Sequence, residues 1–421
     1  SLASNSRASW GLWKEMITTR LSRRARLFSL PLRSLILTST CALISLPLLA
    51  GCTDNAPAGP GTTAGGNPRA LTVQATDSEC KLSTTSAPSG TVTFAVTNGG
   101  SKVTEFYLYG EDGKRVVGEV ENIGPGITRE LVLKVEPGNY ITACKPGMVG
   151  DGIRAPFSVS DSGVEQGSGG YNIQLVERAN DHYRQYVEDQ SEQLVAMTAK
   201  FVAAYKAGKD DQARALYPVA RMHWERIETV AESFGDLDPK LDLREADLEP
   251  GQKWTGWHRL EKDLWPARAK NYKPLTRDQR VAYSDDLVQN TAILQKRVPS
   301  LDFSADEIAN GSRGLLDEVA TGKITGEEEY WSGTDLWDFQ ANIDGAFVAF
   351  EGIRPLLKQR NPVLESQIAA NFATVQALLD IHREGDGFKT YDKLSQAEVK
   401  ELSDAVNALS EPLSKLAAAV V

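Results

Sequence analysis

The hydrophobic period of this sequence changes once, across a Gly/Ser-rich segment at residues 161–170 (DSGVEQGSGG). Before that segment, runs such as residues 91–96 and 130–135 alternate apolar and polar side chains, and turn signals such as Asn98-Gly99 separate the runs. After it, apolar residues recur at the 3.6-residue spacing of helices, and no strand-like run interrupts them. The sequence therefore predicts a multidomain chain, with an N-terminal all-β sandwich followed by an all-α helical bundle.

Period and composition together divide the chain into five segments. We expect a signal at residues 1–51, a flexible tether at 52–69, a β domain at 70–160, a linker at 161–170 and a helical domain at 171–421. The Pro, Gly, Thr and Ala residues of the tether are typical of unfolded spacers. The predicted helices of the last domain lie at residues 177–207, 210–234, 277–297, 305–320, 335–358, 362–384 and 396–420.

The first 51 residues have the pattern of an export signal. Residues 1–33 carry seven basic side chains and a single acidic one, and residues 34–51 carry no charge. The segment ends in LAGC at residues 49–52, which is typical of a lipobox, in which small residues precede the cysteine that receives the lipid. We expect an exported protein that is lipid-anchored through Cys52, on the outer face of the cell membrane or on its periplasmic side. An ordinary signal peptide with a chance cysteine is the alternative, and the export route, Sec or twin-arginine, stays open.

The charge of the chain argues against nucleic acid as a partner. The sequence has 46 basic and 56 acidic residues and a net charge of −10. Residues 1–51 contribute seven basic residues and one acidic residue, so the remainder carries 39 basic and 55 acidic residues and a net charge of −16. Such a surface repels nucleic acid and attracts cations.

Two of the four cysteines, Cys80 and Cys144, remain once the signal is removed and Cys52 carries a lipid. In an oxidising compartment a disulfide between them is expected. A second reading makes the two sulfurs, Glu105 and Met148 the ligands of a copper ion near one end of a sheet. The predicted β domain contains no histidine, whereas a blue-copper site needs two, and both readings stay open.

The densest group of polar residues lies between positions 221 and 265. On one predicted helix Arg221, Glu225 and Glu228 share a flank, and the simplest reading of Arg221 with Glu225 is a surface ion pair. His223 falls nearer the apolar side and is expected to be a core-edge histidine with a satisfied ring. An acidic loop follows, whose carboxylates either offer oxygen ligands to a cation or are merely solvated. These carboxylates are Asp236, Asp238, Asp242, Glu245, Asp247 and Glu249.

A histidine and a glutamate three residues apart, His258 and Glu261, follow the acidic loop. At this spacing both side chains leave one face of a helix and can bind one ion together. Imidazole with carboxylates suits iron, zinc or manganese. A plain intrahelical hydrogen bond is the alternative. No H-E-x-x-H motif occurs, so the sequence lacks the usual helix of a zinc protease, and we expect no catalytic residues.

Four motifs in order resemble those of one known family. Together with a lipobox and a preceding domain that has two cysteines, they are similar to the Efe-type iron-uptake lipoproteins, in which a cupredoxin-like domain precedes a helical domain of the imelysin family. The resemblance covers about residues 70–421. The motifs are RMHWERIE at residues 221–228, DLDPKLDLRE at 236–245, GWHRLEK at 256–262 and TDLWDFQAN at 334–342.

The resemblance implies a cell-surface protein that captures iron and delivers it to a membrane iron permease, with a haem-dependent peroxidase as a further partner. The family's metal motif falls on His258 and Glu261, and the remaining ligands are expected among Glu225, Glu228 and Asp242. The ion would be iron, ferric or ferrous, with zinc as an alternative.

In the cupredoxin-like domain, the family's proposed metal ligands fall on Cys80, Glu105 and Cys144, and the metal is expected to be copper. Some relatives have a methionine two residues before the second cysteine, where this chain has Thr142. Two other functions remain as alternatives, a metal-dependent peptidase of the imelysin family and a non-catalytic adhesion or scaffold lipoprotein.

Overall fold

The computed structural model describes residues 67–163 and 173–420. The predicted signal at residues 1–51, the predicted lipidation site Cys52 and most of the predicted tether lie outside these residues. No helix of the described part is both long and apolar enough to cross a membrane.

Residues 67–163 form nine strands in two sheets. The strands are β1 (Ala70–Ala75), β2 (Cys80–Leu82), β3 (Ser86–Pro88), β4 (Gly90–Asn98), β5 (Thr104–Gly110), β6 (Val116–Ile123), β7 (Thr128–Val135), β8 (Gly138–Cys144) and β9 (Ile153–Ser160). One sheet has the strand order β2-β1-β4-β7, and the other has the order β3-β9-β8-β5-β6. Apolar side chains of both sheets meet in one core, so the predicted sandwich is confirmed.

The sequence of β4 shows why this domain forms a sandwich. Val92, Phe94 and Val96 alternate with more exposed residues and are fully buried in the core. β4 pairs antiparallel with β7, where Leu131 lies opposite Phe94 and is buried on the same face. The strict alternation fixes the register, because a slip of one residue would turn the apolar set outward.

The two cysteines of the β domain are bonded to each other. Cys80 in β2 and Cys144 at the end of β8 form a disulfide, with their Cα atoms 5.5 Å apart, and the bond links the two sheets. Of the two readings of this pair, the structure has the disulfide. Bonded sulfurs offer no thiolate to copper.

Glu105 does not lie with the cysteines. In β5, Phe106 is opposite Cys144, and both side chains enter the core. Because successive side chains alternate across a strand, Glu105 points to the other face of the sheet. There Tyr107 donates a hydrogen bond to its carboxylate at 3.0 Å. The expected ligand set of Cys80, Glu105 and Cys144 is therefore not assembled in this structure.

Residues 173–420 are mainly helical, as the 3.6-residue period predicts. The capping box of Thr276 and Gln279 fixes the start of one helix, which spans the predicted residues 277–297. The helices are α1 (Ile173–Lys206), α2 (Asp210–Glu225), α3 (Glu228–Glu232), α4 (Asp238–Leu241), α5 (Trp257–Leu264), α6 (Arg277–Arg297), α7 (Ala305–Thr321), α8 (Asp335–Arg360), α9 (Pro362–Ile381), α10 (Gln396–Leu413) and α11 (Leu416–Val420).

Three details of the helical domain differ from the prediction; in one, the single helix expected at residues 396–420 is divided into α10 and α11. The single helix expected at residues 210–234 is broken between α2 and α3, where α8 comes so close that a Cβ on Gly345 would overlap the carbonyl oxygen of Arg226. A short hairpin of β10 (Arg383–Glu384) and β11 (Gly387–Phe388) follows α9, where the sequence predicts helix to residue 384. The break after α2 separates Glu225, which ends that helix, from Glu228, which begins α3.

Candidate metal centre

The acidic and histidine residues that the sequence singles out converge inside the helical domain. Glu225 ends α2, Glu228 begins α3, Asp242 follows α4, and His258 and Glu261 lie on α5. All five side chains are buried, with at most 8% of the residue exposed. The structure thus brings together the five residues expected to bind metal.

A glycine holds the start of α5 against the end of α4. Gly256 precedes α5 with a φ of 86°, and a Cβ at this position would overlap the carbonyl oxygen of Leu241. Only glycine accommodates both the positive φ and this approach. As a result, His258 Nε2 lies 3.4 Å from Asp242 Oδ1, although the two residues belong to separate helical segments.

Both ring nitrogens of His258 face carboxylates. Nδ1 lies 3.0 Å from Glu261 Oε2, and Nε2 lies 3.3 Å from Glu328 Oε1. The other oxygen of Glu261 accepts hydrogen bonds from the backbone N–H groups of Trp331 and Ser332, at 2.8 and 2.6 Å. The intrahelical contact of His258 and Glu261 is therefore one part of a larger cluster with a fixed geometry.

Arg221 is fully buried among these carboxylates. It pairs at 2.7 Å with Glu225 on its own helix, which is also fully buried. The reading of these two residues as a surface ion pair is wrong, because this flank of α2 faces the interior. The other carboxylates paired with Arg221 are Asp242, Glu328, Glu329 and Asp338.

A second buried cation, Lys323, lies in a short 3-10 helix (Lys323–Thr325) after α7. Its Nζ is 3.3 Å from Glu225 Oε2, 3.1 Å from Glu228 Oε2 and 3.6 Å from Glu318 Oε2. The sequence pattern does not mark this residue as part of a site. A lysine inside the domain is stable only because these carboxylates surround it.

Three sets of side chains in the described part of the chain have ligand atoms close enough to share a metal ion. In each set, the atoms lie within 4.8 Å of one another, and all members are buried. Glu328 and Glu329 are the members that the sequence analysis missed, although the run Glu327-Glu328-Glu329 was visible in the sequence. The sets are Asp242, His258 and Glu328; His258, Glu261 and Glu329; and Glu225, Glu228 and Asp242.

Burial controls the protonation of three of these carboxylates. Loss of water, reinforced by neighbouring carboxylates, raises the pKa of Glu225, Glu228 and Glu329 to about 8. These carboxylates therefore repel one another, and a cation between them relieves that repulsion.

Two other carboxylates of the cluster stay ionised. Burial alone would raise the pKa of Asp242 and Glu328, but nearby cations outweigh it and hold both values below the usual range. The cations are chiefly Arg221 for Asp242 and Lys323 for Glu328, and His258 adds to both effects. Burial and Arg221 lower the pKa of His258, yet its hydrogen bonds to carboxylates leave it well above the usual value.

The donor set fits a cation. Imidazole and carboxylate are ligands of iron and zinc. Two more buried carboxylate oxygens nearby, Asp335 Oδ2 and Asp338 Oδ1, have no hydrogen-bond donor in residues 67–163 or 173–420. A buried acceptor without a donor lowers the stability of the fold, and a positive ion bound nearby would interact favourably with these two oxygens.

Most of the acidic loop does not enter the cluster. Asp236 pairs with Arg297 at the surface side of the domain, and Asp247 pairs with Arg244 at 2.7 Å. His223 also stays outside, as expected, with its Nδ1 2.9 Å from Gln190 Oε1. Of the six loop carboxylates, Asp242 is the one that the three sets contain.

Comparison with known proteins identifies the family. The Imelysin family model matches residues 179–416, which is more than half of the chain. The chain belongs to the imelysin family. The matched segment includes every residue of the metal cluster, and the β domain precedes it, so the fold class predicted from the sequence is confirmed.

The similarity to individual relatives extends beyond the helical domain. The chain is 37% identical over 347 residues to the iron uptake system component EfeO of Escherichia coli O157:H7. The aligned residues make up 82% of this chain and 89% of that relative. The same identity and coverage hold for the EfeO proteins of Escherichia coli K12 and Shigella flexneri. This chain is therefore an imelysin-family member of the EfeO type, as the sequence motifs predict.

Proposed function

We propose that this protein captures iron outside the cytoplasm and delivers it to a membrane iron permease. The observation that carries the proposal is the buried cluster in which His258 meets carboxylates from separate segments of the helical domain. Membership of the EfeO group supports iron as the cargo, because the relatives are named as components of iron uptake systems. A haem-dependent peroxidase is the further partner that we propose.

We place the ion at the corner formed by His258, Asp242 and Glu328. The ring nitrogen Nε2 of His258 lies 3.3 Å from Glu328 and 3.4 Å from Asp242, and both carboxylates stay ionised near neutral pH. Glu261 and Glu329 face the other ring nitrogen, Nδ1, at 3.0 and 3.9 Å, so they would orient the imidazole for the ion. Carboxylates favour ferric iron, and the imidazole keeps the site suitable for ferrous iron or zinc.

Uptake of radioactive iron by cells tests this function. A strain that lacks the gene is expected to take up less ⁵⁵Fe at limiting iron, and the wild-type gene is expected to restore uptake. The variant His258→Ala should be present at the membrane in normal amount and fail to restore it. Full restoration by this variant would overturn the proposed role of the cluster.

Metal affinity is expected to rise with pH. The pKa of Glu225, Glu228 and Glu329 is raised to about 8, and that of His258 lies well above its usual value. His258 must lose a proton before its Nε2 can bind the ion, and ionised carboxylates nearby hold the ion more firmly, so binding is weak at about pH 6 and strengthens up to about pH 9. Zinc titration calorimetry in two buffers of different ionisation enthalpy should show proton release. Equal affinity at both ends of this range, without proton release, would contradict the prediction.

We further propose that a lipid on Cys52 keeps the protein at the membrane where the permease lies. Detergent partition of cell extracts tests this point, since a lipidated protein enters the detergent phase. Cys52→Ser is expected to move the protein to the aqueous phase and to the periplasm or medium. If the variant stays with the membrane, another feature anchors the chain.

A further inference from the structure

Lys323 is a buried cation whose ion-pair partners, Glu225, Glu228 and Glu318, lie outside the proposed iron corner. Its ammonium group lies between the carboxylates of Glu225 and Glu228, 3.3 Å from the first and 3.1–3.3 Å from both oxygens of the second. Lys323, like Glu225, is fully buried, and Glu228 is 4% exposed. Lys323 therefore occupies an interior position made of oxygen ligands.

The same two glutamates belong to a set whose atoms could hold a metal ion. Glu225, Glu228 and Asp242 offer oxygens within 4.8 Å of one another. Three carboxylates without a histidine form a hard-cation site, and the ammonium of Lys323 pairs with two of them. In this chain, the ammonium group of Lys323 occupies the position where a metal ion would bind to these carboxylates.

The side chain of Asn342 lies beside this set and supports the same interpretation. Asn342 is fully buried, and its Nδ2 lies 3.2 Å from Glu225 Oε2 and from Glu228 Oε2. Its amide oxygen has no hydrogen-bond donor in the part of the chain that the structure describes. The Nδ2 of this amide faces the glutamates; if the amide turned over, its oxygen, an ordinary ligand of hard cations, would face an ion in this position.

Arg221 connects this region to the His258 corner. The guanidinium pairs with Glu225 on one side, and with Asp242 and Glu328 on the other. Asp242 also belongs to both sets. The cluster thus has two adjoining cation positions, one at His258 and one at Lys323.

We propose that Lys323 is a tethered cation that fills the second of two metal positions and so limits the chain to one exchangeable ion. This inference rests on the proposed function, because it concerns the ion at the His258 corner. The ammonium repels a metal ion in the same low-dielectric cluster, which weakens the hold on that ion. A carrier that must give up its cargo gains from such weakening.

The stoichiometry of Fe²⁺ binding under anaerobic conditions tests the proposal. Titration calorimetry of the full chain, with elemental analysis after gel filtration, should give one ion for the wild type and two for Lys323→Met. The double variant Lys323→Met with Glu228→Gln removes an oxygen ligand of the second position and should return to one ion. Lys323→Arg keeps the charge and should also bind one.

Each outcome decides between the alternatives. A Lys323→Met chain that binds one ion with wild-type affinity overturns this inference and leaves the proposed function intact. A wild-type chain that binds no ion overturns the proposed function itself. If Lys323→Met unfolds because its glutamates lose their partner, saturating Fe²⁺ should restore the far-ultraviolet circular dichroism, since the ion replaces the ammonium. A variant that stays unfolded with Fe²⁺ overturns the inference as well.

Discussion

Replacing Arg221 by methionine is expected to lower the free energy of unfolding of the metal-free protein by about 3–5 kcal/mol. Methionine fills a similar volume but leaves the carboxylates around Arg221 without their shared cation. These groups are buried, and removing one partner of a buried ion pair leaves an uncompensated charge in a medium that solvates it poorly. Urea denaturation followed by tryptophan fluorescence measures the loss, and Trp224 in α2 provides a local probe.

Arg226→Met is the matched control. Arg226 lies one residue past the end of α2 and pairs with Asp344 at 2.9 Å, with both side chains slightly exposed. Its loss is expected to cost about 1–2 kcal/mol. If Arg221→Met unfolds at the same urea concentration as Arg226→Met, Arg221 does not hold the cluster together.

Replacing His258 by alanine is expected to weaken Fe²⁺ binding by about 100-fold or more. The loss of a supporting side chain around a metal typically costs 10–100-fold, and His258 is the nitrogen ligand itself. Its removal also frees Glu261 and Glu328 from their contacts with the ring. Quenching of tryptophan fluorescence can follow binding, because the indole of Trp224 donates a hydrogen bond to Asp242 at 2.7 Å.

His223→Ala is the control for this variant. His223 is a half-buried histidine on α2 whose ring contacts Gln190, and it belongs to none of the three ligand sets. Its replacement should leave the dissociation constant for Fe²⁺ essentially unchanged. An equal weakening in both variants would mean that the effect is one of folding and not of coordination.

The sequence predicts the fold well because the periodic signal is strong. The alternation of Val92, Phe94 and Val96 defines a strand, and the capping box at Thr276 fixes the start of a 21-residue helix. The break after Glu225 could not be predicted in the same way. It depends on the close approach of Gly345 from a helix more than a hundred residues later.

The candidate site is only partly visible in the sequence. The spacing of His258 and Glu261 indicates a shared helical face, which the structure has. Glu328 and Glu329 lie in an irregular segment before α8, where no period shows which way a side chain points. Their contacts with Arg221 and His258 join residues 70 or more positions apart, and a single sequence carries no signal for such pairs.

The burial of the helix face that carries Arg221 could not be predicted from the sequence for the same reason. A spacing of four residues shows that Arg221 and Glu225 are neighbours, but it does not show whether their flank faces water. The β domain gives a simpler case, since alternation along β5 already separates Glu105 from the face that carries Phe106. Pairing of β5 with β8 then decides which face receives Cys144, and that pairing is a property of the folded sheet.

The metal content of the native protein tests the central claim most directly. Wild-type protein and the His258→Ala variant would be purified without chelators from iron-replete cells that export them, and each would be analysed for its elements. We expect close to one equivalent of iron per wild-type chain and almost none in His258→Ala. A wild-type protein without bound transition metal, or equal iron in both proteins, would contradict the assignment of this cluster as an iron site.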